Sequence, residues 1–217
     1  MALGAAWLGS AFPPNATRLV WWFIGLAVVQ SCLPGIANQL TMARAHLALP
    51  ALVYALSPDG FGGLAATVAI AGATDLLDGR IARRFEKPTQ LGGGLDPVVD
   101  GVFFGATAFG LAAGGAYPWW LFGVVAARYG LPALVGGVLL LLRRPVQLRH
   151  TFFGQVSTAL IGVLLGGVAL WRGLGLESGR IVTAAEVVIP AATALTFANL
   201  LWVARRGDRG DSPRLDG

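Results

Sequence analysis

Asp75-Leu-Leu-Asp78-Gly79-Arg80-Ile-Ala82-Arg83, then eight residues to Gly92, then Gly93-Gly94-Leu95-Asp96-Pro97-Val-Val-Asp100, is the stretch on which the reading of this 217-residue chain turns. Carboxylates three and four residues apart project from the same face of a helix, so two helices lying side by side would aim all four at one point. Long apolar runs flank the stretch on both sides. In such low-dielectric surroundings a cluster of acids stays ionised only with something cationic among them. Oxygen is the only donor type on offer, so the cation expected is Mg²⁺ or Mn²⁺.

Composition gives the setting. A mean hydropathy of +0.67, with 55% hydrophobic and 12% charged residues, describes more apolar surface than a soluble domain of this length could hide. Apolar runs of spanning length are separated by short turns, predicting an all-α, polytopic membrane protein. Six transmembrane helices are expected at residues 38–57, 61–83, 92–114, 118–142, 152–171 and 180–204. Ahead of them, residues 19–36 form an additional N-terminal hydrophobic helix, interrupted by Gln30, Ser31 and Pro34, that either spans or lies in the interface. Only Arg18 precedes that run as a basic residue near its start, which makes it a poor signal peptide and predicts that it is retained. The expected organisation is therefore an N-terminal segment at 1–37, one membrane domain at 38–206, and a small, charged, proline-containing and disordered tail at 207–217. The single Cys32 excludes an intrachain disulfide, and the chain contains no internal repeat.

Arginine placement predicts orientation. Arg80, Arg83, Arg84 and Lys87 follow the second span, Arg143, Arg144 and Arg149 the fourth, and Arg205, Arg206, Arg209 and Arg214 the sixth. Six alternating helices put all of these on one side. The opposite loops hold Asp59, an uncharged turn, and Arg172, Glu177 and Arg180, so the basic side and the Asp cluster are expected at the cytoplasmic face. The expected location is the plasma membrane of a prokaryote. The net charge of +5 then serves anionic headgroups and phosphorylated substrates; no basic domain or aromatic platform suggests nucleic acid.

The pattern Asp-x2-Asp-Gly-x2-Ala-Arg-x8-Gly-x3-Asp-x3-Asp closely resembles the signature of the CDP-alcohol phosphotransferases, matched at Asp75, Asp78, Gly79, Ala82, Arg83, Gly92, Asp96 and Asp100. The resemblance extends from Asn38 through the last span. It implies an enzyme of phospholipid biosynthesis that transfers a phosphatidyl group from CDP-diacylglycerol to an alcohol and releases CMP. Two divalent cations are implied, held by Asp75, Asp78, Asp96 and Asp100, with Asp100 also accepting the proton of the attacking alcohol. Asn38, Thr41, Gly79, Arg83 and Thr89 correspond to positions that contact the CDP moiety. A homodimer is one assembly the resemblance allows. Gly92, Gly93 and Gly94 read most simply as helix-packing positions.

Arg128 stands midway along the fourth expected span, where a charge is expensive unless it faces a polar cavity. By resemblance it binds an acceptor phosphate; the competing reading is a structural ion pair with Glu186 or with the Asp cluster. Glycerol 3-phosphate is the first acceptor expected, with inositol phosphate or another polar alcohol as the alternative. Three departures bear on this: Ala37 where relatives often have proline, Gln155 in place of a lysine in Gly154-Gln155-Val-Ser157-Thr158, and Gly101 where the phosphatidylglycerophosphate and cardiolipin synthases carry lysine. His46 and His150 are too isolated for a zinc site. From a different class, a non-catalytic relative or a cation-coupled transporter would also bring acids into a membrane, but a transporter has no need of Gly79 or Arg83.

Overall fold

A computed structural model describes residues 17–32, 35–57, 59–85, 90–142 and 152–207, and within them the side chains of all but 17–23, 26, 36–37, 78–85, 90–95, 136–140, 152–153 and 203–207. The described residues form seven helices: α1 (Thr17–Cys32), α2 (Ile36–Leu56), α3 (Phe61–Phe85), α4 (Gln90–Ala113), α5 (Trp119–Leu141), α6 (Phe152–Gly173) and α7 (Gly179–Gly207). No strand occurs among them. Each of the six expected spans coincides with one of the helices α2 to α7.

Only two segments within the described residues have the length and apolarity to cross a membrane: Gly154–Gly173 of α6 and Gly179–Trp202 of α7. Shorter apolar segments occupy Phe61–Leu77 of α3 and Trp119–Val135 of α5. The sequence predicts six crossings. The helices that carry the acids and cations are also the ones whose apolar character is diluted, by Arg44 and His46 in α2 and by Asp96 and Asp100 in α4. Large apolar side chains such as Leu134, Val163, Val187 and Leu195 are exposed on α5, α6 and α7, the pattern of a surface solvated by lipid.

Small residues bring α2 and α4 together. A Cβ on Gly110 would stand 2.5 Å from Ala55 Cβ, and one on Gly114 only 2.6 Å from the Ala55 carbonyl oxygen. Ala48, Ala51, Ala55 and Ala108 are all buried along this seam, so the backbones approach as they do in small-residue membrane interfaces. The two helices run parallel, since Thr41 meets Asp96 at one end and Ala55 meets Gly110 near the other. The intervening α3 runs back, and it packs antiparallel on α6 through Val68 against Gly166 and Gly62 against Gly173. Phe103, Leu111, Leu121, Ile161, Leu165 and Ile189 fill the centre.

The far end of the bundle is closed by two similar turns. After α4, Gly115 (φ 69°) sits in the left-handed region, with Ala116 N–H donating to Leu111 O at 2.8 Å and Gly115 N–H to Ala112 O at 3.1 Å. After α6, Gly175 repeats the φ of 69°, with Leu176 N–H on Trp171 O at 2.9 Å. These are Schellman caps, which satisfy the last helical carbonyls and favour glycine at that position. Arg172 ties the end together, donating to Ser178 Oγ and Gly115 O at 3.2 Å each and lying over the Phe61 ring.

Candidate active site

Three helices meet at Arg44. It lies on the third turn of α2, buried in the bundle with 3% of its side chain exposed. One guanidinium nitrogen pairs with Asp75 of α3 at 2.7 Å and the other with Asp100 of α4. Three residues earlier on the same face of α2, Thr41 donates its hydroxyl to Asp96 Oδ1 at 2.8 Å. The i, i+3 spacing of Thr41 and Arg44 matches the i, i+4 spacing of Asp96 and Asp100 across the parallel seam, so both rungs form together. Asp75, Asp96 and Asp100 each use Oδ1 in these contacts.

The pair with Asp75 opens outward, the Asp75 side chain being 56% exposed against 14% for Asp100. The cluster thus has a buried wall at Arg44 and Asp100 and an accessible lip at Asp75. Among the described residues, no three His, Cys, Asp or Glu side chains stand close enough to hold a metal ion. The donor chemistry nevertheless fits a hard divalent cation: every acid is a carboxylate, and among the described side chains one guanidinium against three carboxylates leaves two negative charges uncompensated.

Asp78, Gly79 and Arg83 continue α3 beyond Asp75, with side chains outside the described residues, and Thr89 lies outside them altogether. Asn38 is buried one turn before Thr41, on the same helix. The structure therefore brings Asp75, Asp96, Asp100 and Thr41 into one site. Thr41, expected at the nucleotide, has its hydroxyl on Asp96. Arg44 is the residue that sequence reasoning misses. The available signal is its position, a full charge nine residues into an apolar helix, the same signal that singles out Arg128.

Arg128 heads a second polar cluster. It is 6% exposed, and its guanidinium donates to Thr196 Oγ1 of α7 at 3.0 Å, to the Gly154 carbonyl of α6 at 3.3 Å, to Thr158 Oγ1 at 3.4 Å and to Ser157 Oγ. Its Nε is buried without a partner. No carboxylate pairs with it among the described residues: its partners are hydroxyls and a carbonyl, and neither Glu186 nor Asp75, Asp96 or Asp100 is one of them. A guanidinium buried among neutral groups keeps its whole charge, an arrangement that attracts an anion. Ser157 and Thr158 belong to the Gly154-to-Thr158 segment that stands out in the sequence, and Gln155 beside them is exposed.

The two clusters adjoin. Tyr129 packs on α4 where Gly101 follows Asp100, close enough that a Cβ on Gly101 would lie 3.1 Å from Tyr129 Cβ, and the Tyr129 ring stacks on Phe104. A side chain at position 101 would therefore press on Tyr129, which would have to give by a few tenths of an ångström. The arrangement offers a carboxylate cluster at Arg44 and, across one helix contact, a buried cation ringed by hydroxyls.

Comparison with known proteins gives a coherent picture. The profile of the CDP-alcohol phosphatidyltransferase family matches residues 35–201. A probable phosphatidylglycerophosphate synthase of Mycobacterium tuberculosis is 32% identical over 181 residues, 80% of this chain and 82% of that protein. A probable cardiolipin synthase (CMP-forming) of Drosophila melanogaster is 30% identical over 182 residues, 75% of this chain but 56% of that protein, so the chain spans little more than half its length. An archaetidylinositol phosphate synthase of Methanothermobacter thermautotrophicus is 33% identical over 110 residues, 48% of this chain and 56% of that protein. No solved structure matches the chain significantly.

Proposed function

The chain belongs to the CDP-alcohol phosphatidyltransferase family, and from that membership we propose that it transfers a phosphatidyl group from CDP-diacylglycerol to a phosphorylated alcohol, releasing CMP. Glycerol 3-phosphate is the acceptor proposed. The observation that carries this reading is the pairing of two adjacent clusters, acids around Arg44 and an anion-seeking Arg128.

In this reading helices α2 to α7 cross the bilayer, α1 is a further span or an interfacial helix, and the Asp cluster opens to the cytoplasmic side of a prokaryotic plasma membrane. Asp75, Asp78, Asp96 and Asp100 hold Mg²⁺ or Mn²⁺, as two ions. When bound, the metal neutralises the pyrophosphate and the charge developing on the leaving CMP. The nucleotide rests on Asn38, Thr41, Gly79, Arg83 and Thr89, with Arg83 forking onto phosphate oxygens. Arg128, supported by Ser157, Thr158 and Thr196, holds the acceptor's phosphate.

Chemistry then follows from what Asp100 can do. Its Oδ1 is engaged by Arg44, which leaves Oδ2 to accept the proton of the acceptor hydroxyl. The acceptor oxygen attacks the phosphorus that bears the diacylglycerol; the bond between that phosphorus and the bridging oxygen breaks, and CMP leaves with the electron pair. No covalent enzyme intermediate is required. Inositol phosphate is the second reading for the acceptor, favoured by the archaetidylinositol phosphate synthase relative.

The experiment is direct: purified protein with radiolabelled CDP-diacylglycerol, a panel of glycerol 3-phosphate, inositol phosphate, glycerol and inositol, and CMP release as readout. Activity with the phosphorylated members alone, abolished by chelator, is expected. Activity with the unphosphorylated alcohols would overturn the Arg128 assignment, and CMP release that persists in chelator would overturn the metal assignment.

A further inference from the structure

Helix α2 contributes one side chain to each described acid of the cluster. Thr41 holds Oδ1 of Asp96, and the two ends of the Arg44 guanidinium hold Oδ1 of Asp75 and Oδ1 of Asp100. Asp75, Asp96 and Asp100 come from α3 and α4, and nothing local to those helices would keep like charges facing one another in an apolar interior. The second oxygen of each acid has no further hydrogen bond among the described residues. The cluster is thus half engaged by α2 and half available.

We propose that Arg44 is the cluster's internal counter-ion: it keeps α2, α3 and α4 assembled around the acids before a divalent cation arrives, and yields Asp75 when one binds. Arg44 is a positioning residue. The contrast between its two described carboxylate partners gives the order of events. Asp100 is 14% exposed and stays paired, so its Oδ2 keeps one direction; Asp75 is 56% exposed, its ion pair is the weaker of the two in water, and it is the carboxylate that turns to the incoming metal. The inference rests on the metal-binding reading of these acids, and its consequence is one of stability: the wild-type protein is folded with or without metal because Arg44 supplies part of the positive charge.

The test compares wild type, Arg44→Gln and Arg44→Lys, each purified in detergent with Mn²⁺, in thermal unfolding with Mn²⁺ and after exchange into chelator. Arg44→Gln should lose on the order of 5–15 °C more than wild type on going into chelator, because Asp100 is left largely buried and uncompensated beside two like charges and a protein of this size moves a few degrees per kcal/mol. Its Tm in Mn²⁺ should lie much closer to wild type. Arg44→Lys, which keeps the charge without the fork, should recover most of the stability in chelator. Equal losses in both buffers, or failure of Arg44→Gln to fold even with Mn²⁺, would reduce Arg44 to a packing residue and overturn the proposal, as would Arg44→Lys behaving like Arg44→Gln. Wild-type CMP release in chelator is measured beside these: if it persists, the metal reading itself fails, whatever the variants' stabilities show.

Discussion

In the proposed mechanism Arg128 and the aspartates make separable demands on the two substrates. Losing a charge-assisted hydrogen bond to a phosphate costs roughly 1.5–3 kcal/mol, or on the order of 10- to 150-fold in kcat/KM. Arg128→Ala should therefore raise the acceptor KM by that order with little change for CDP-diacylglycerol, and Arg83→Ala should do the reverse. If Arg128→Ala only lowers the melting temperature and leaves acceptor dependence intact, the hydroxyls of Ser157, Thr158 and Thr196 solvate a structural cation and the acceptor is not phosphorylated. Asp75→Ala, Asp78→Ala or Asp96→Ala should abolish CMP release and weaken Mn²⁺ binding in calorimetry, since each removes a ligand oxygen pair. Asp100→Asn should keep lipid binding better than turnover, because its amide no longer accepts a proton. Residue identity and spacing make the four acids legible in the sequence. Arg44 is legible there only as an isolated charge in an apolar helix; its role is not, because that depends on partners 31 and 56 residues away.

At the scale of elements, the seam between α2 and α4 sets how accurately Thr41 and Arg44 meet Asp96 and Asp100. Gly110 is the most exacting point on it, with no room for a Cβ beside Ala55. Gly110→Ala should lower stability by about 1–3 kcal/mol despite alanine's better helix propensity, because overpacking a rigid contact costs more than propensity returns. Adding Ala55→Gly should restore part of the loss, giving a positive coupling in the double-mutant cycle. Gly123 on α5 serves as the contrast, since a Cβ added there would meet nothing within 4 Å: Gly123→Ala should be neutral or slightly stabilising. An unchanged Tm for Gly110→Ala would mean that the helices do not approach this closely. The helices are readable from runs of apolar residues, yet the sequence offers no sign of which glycine faces which neighbour.

For the whole molecule, the proposed six-crossing topology predicts the basic loops on one side. With Cys32 replaced by Ser, single cysteines at Thr89 and Gln147 and in the tail at Ser212 should react with an impermeant reagent only from the cytoplasmic side. Cysteines at Gly115 and Glu177, both exposed at the opposite end, should react only from the other. Ser178 is a poor reporter for that end, being buried and bonded to Arg172. Opposite accessibility for Thr89 and Gln147 would sink the even-span topology. Among the described residues α6 and α7 alone meet the length and apolarity of a crossing, so this labelling carries the weight for α2 to α5.

The sequence by itself determined the helical class, the places of the helices, and the family signature from Asp75 to Asp100, because span length, apolar composition and i, i+3 and i, i+4 spacing are local properties of a chain. Tertiary structure alone decided who neutralises whom. Helix α2 holds no acid of its own and Arg44 could have faced lipid headgroups; it is the parallel packing of α2 on α4 that carries it to Asp100 while α3 presents Asp75. Arg128 likewise had Glu186 and the acids as candidate partners and meets hydroxyls of α6 and α7 instead. Charge partnership in a low-dielectric interior is settled by which helix faces converge, and convergence is a property of the assembled bundle that no single segment encodes.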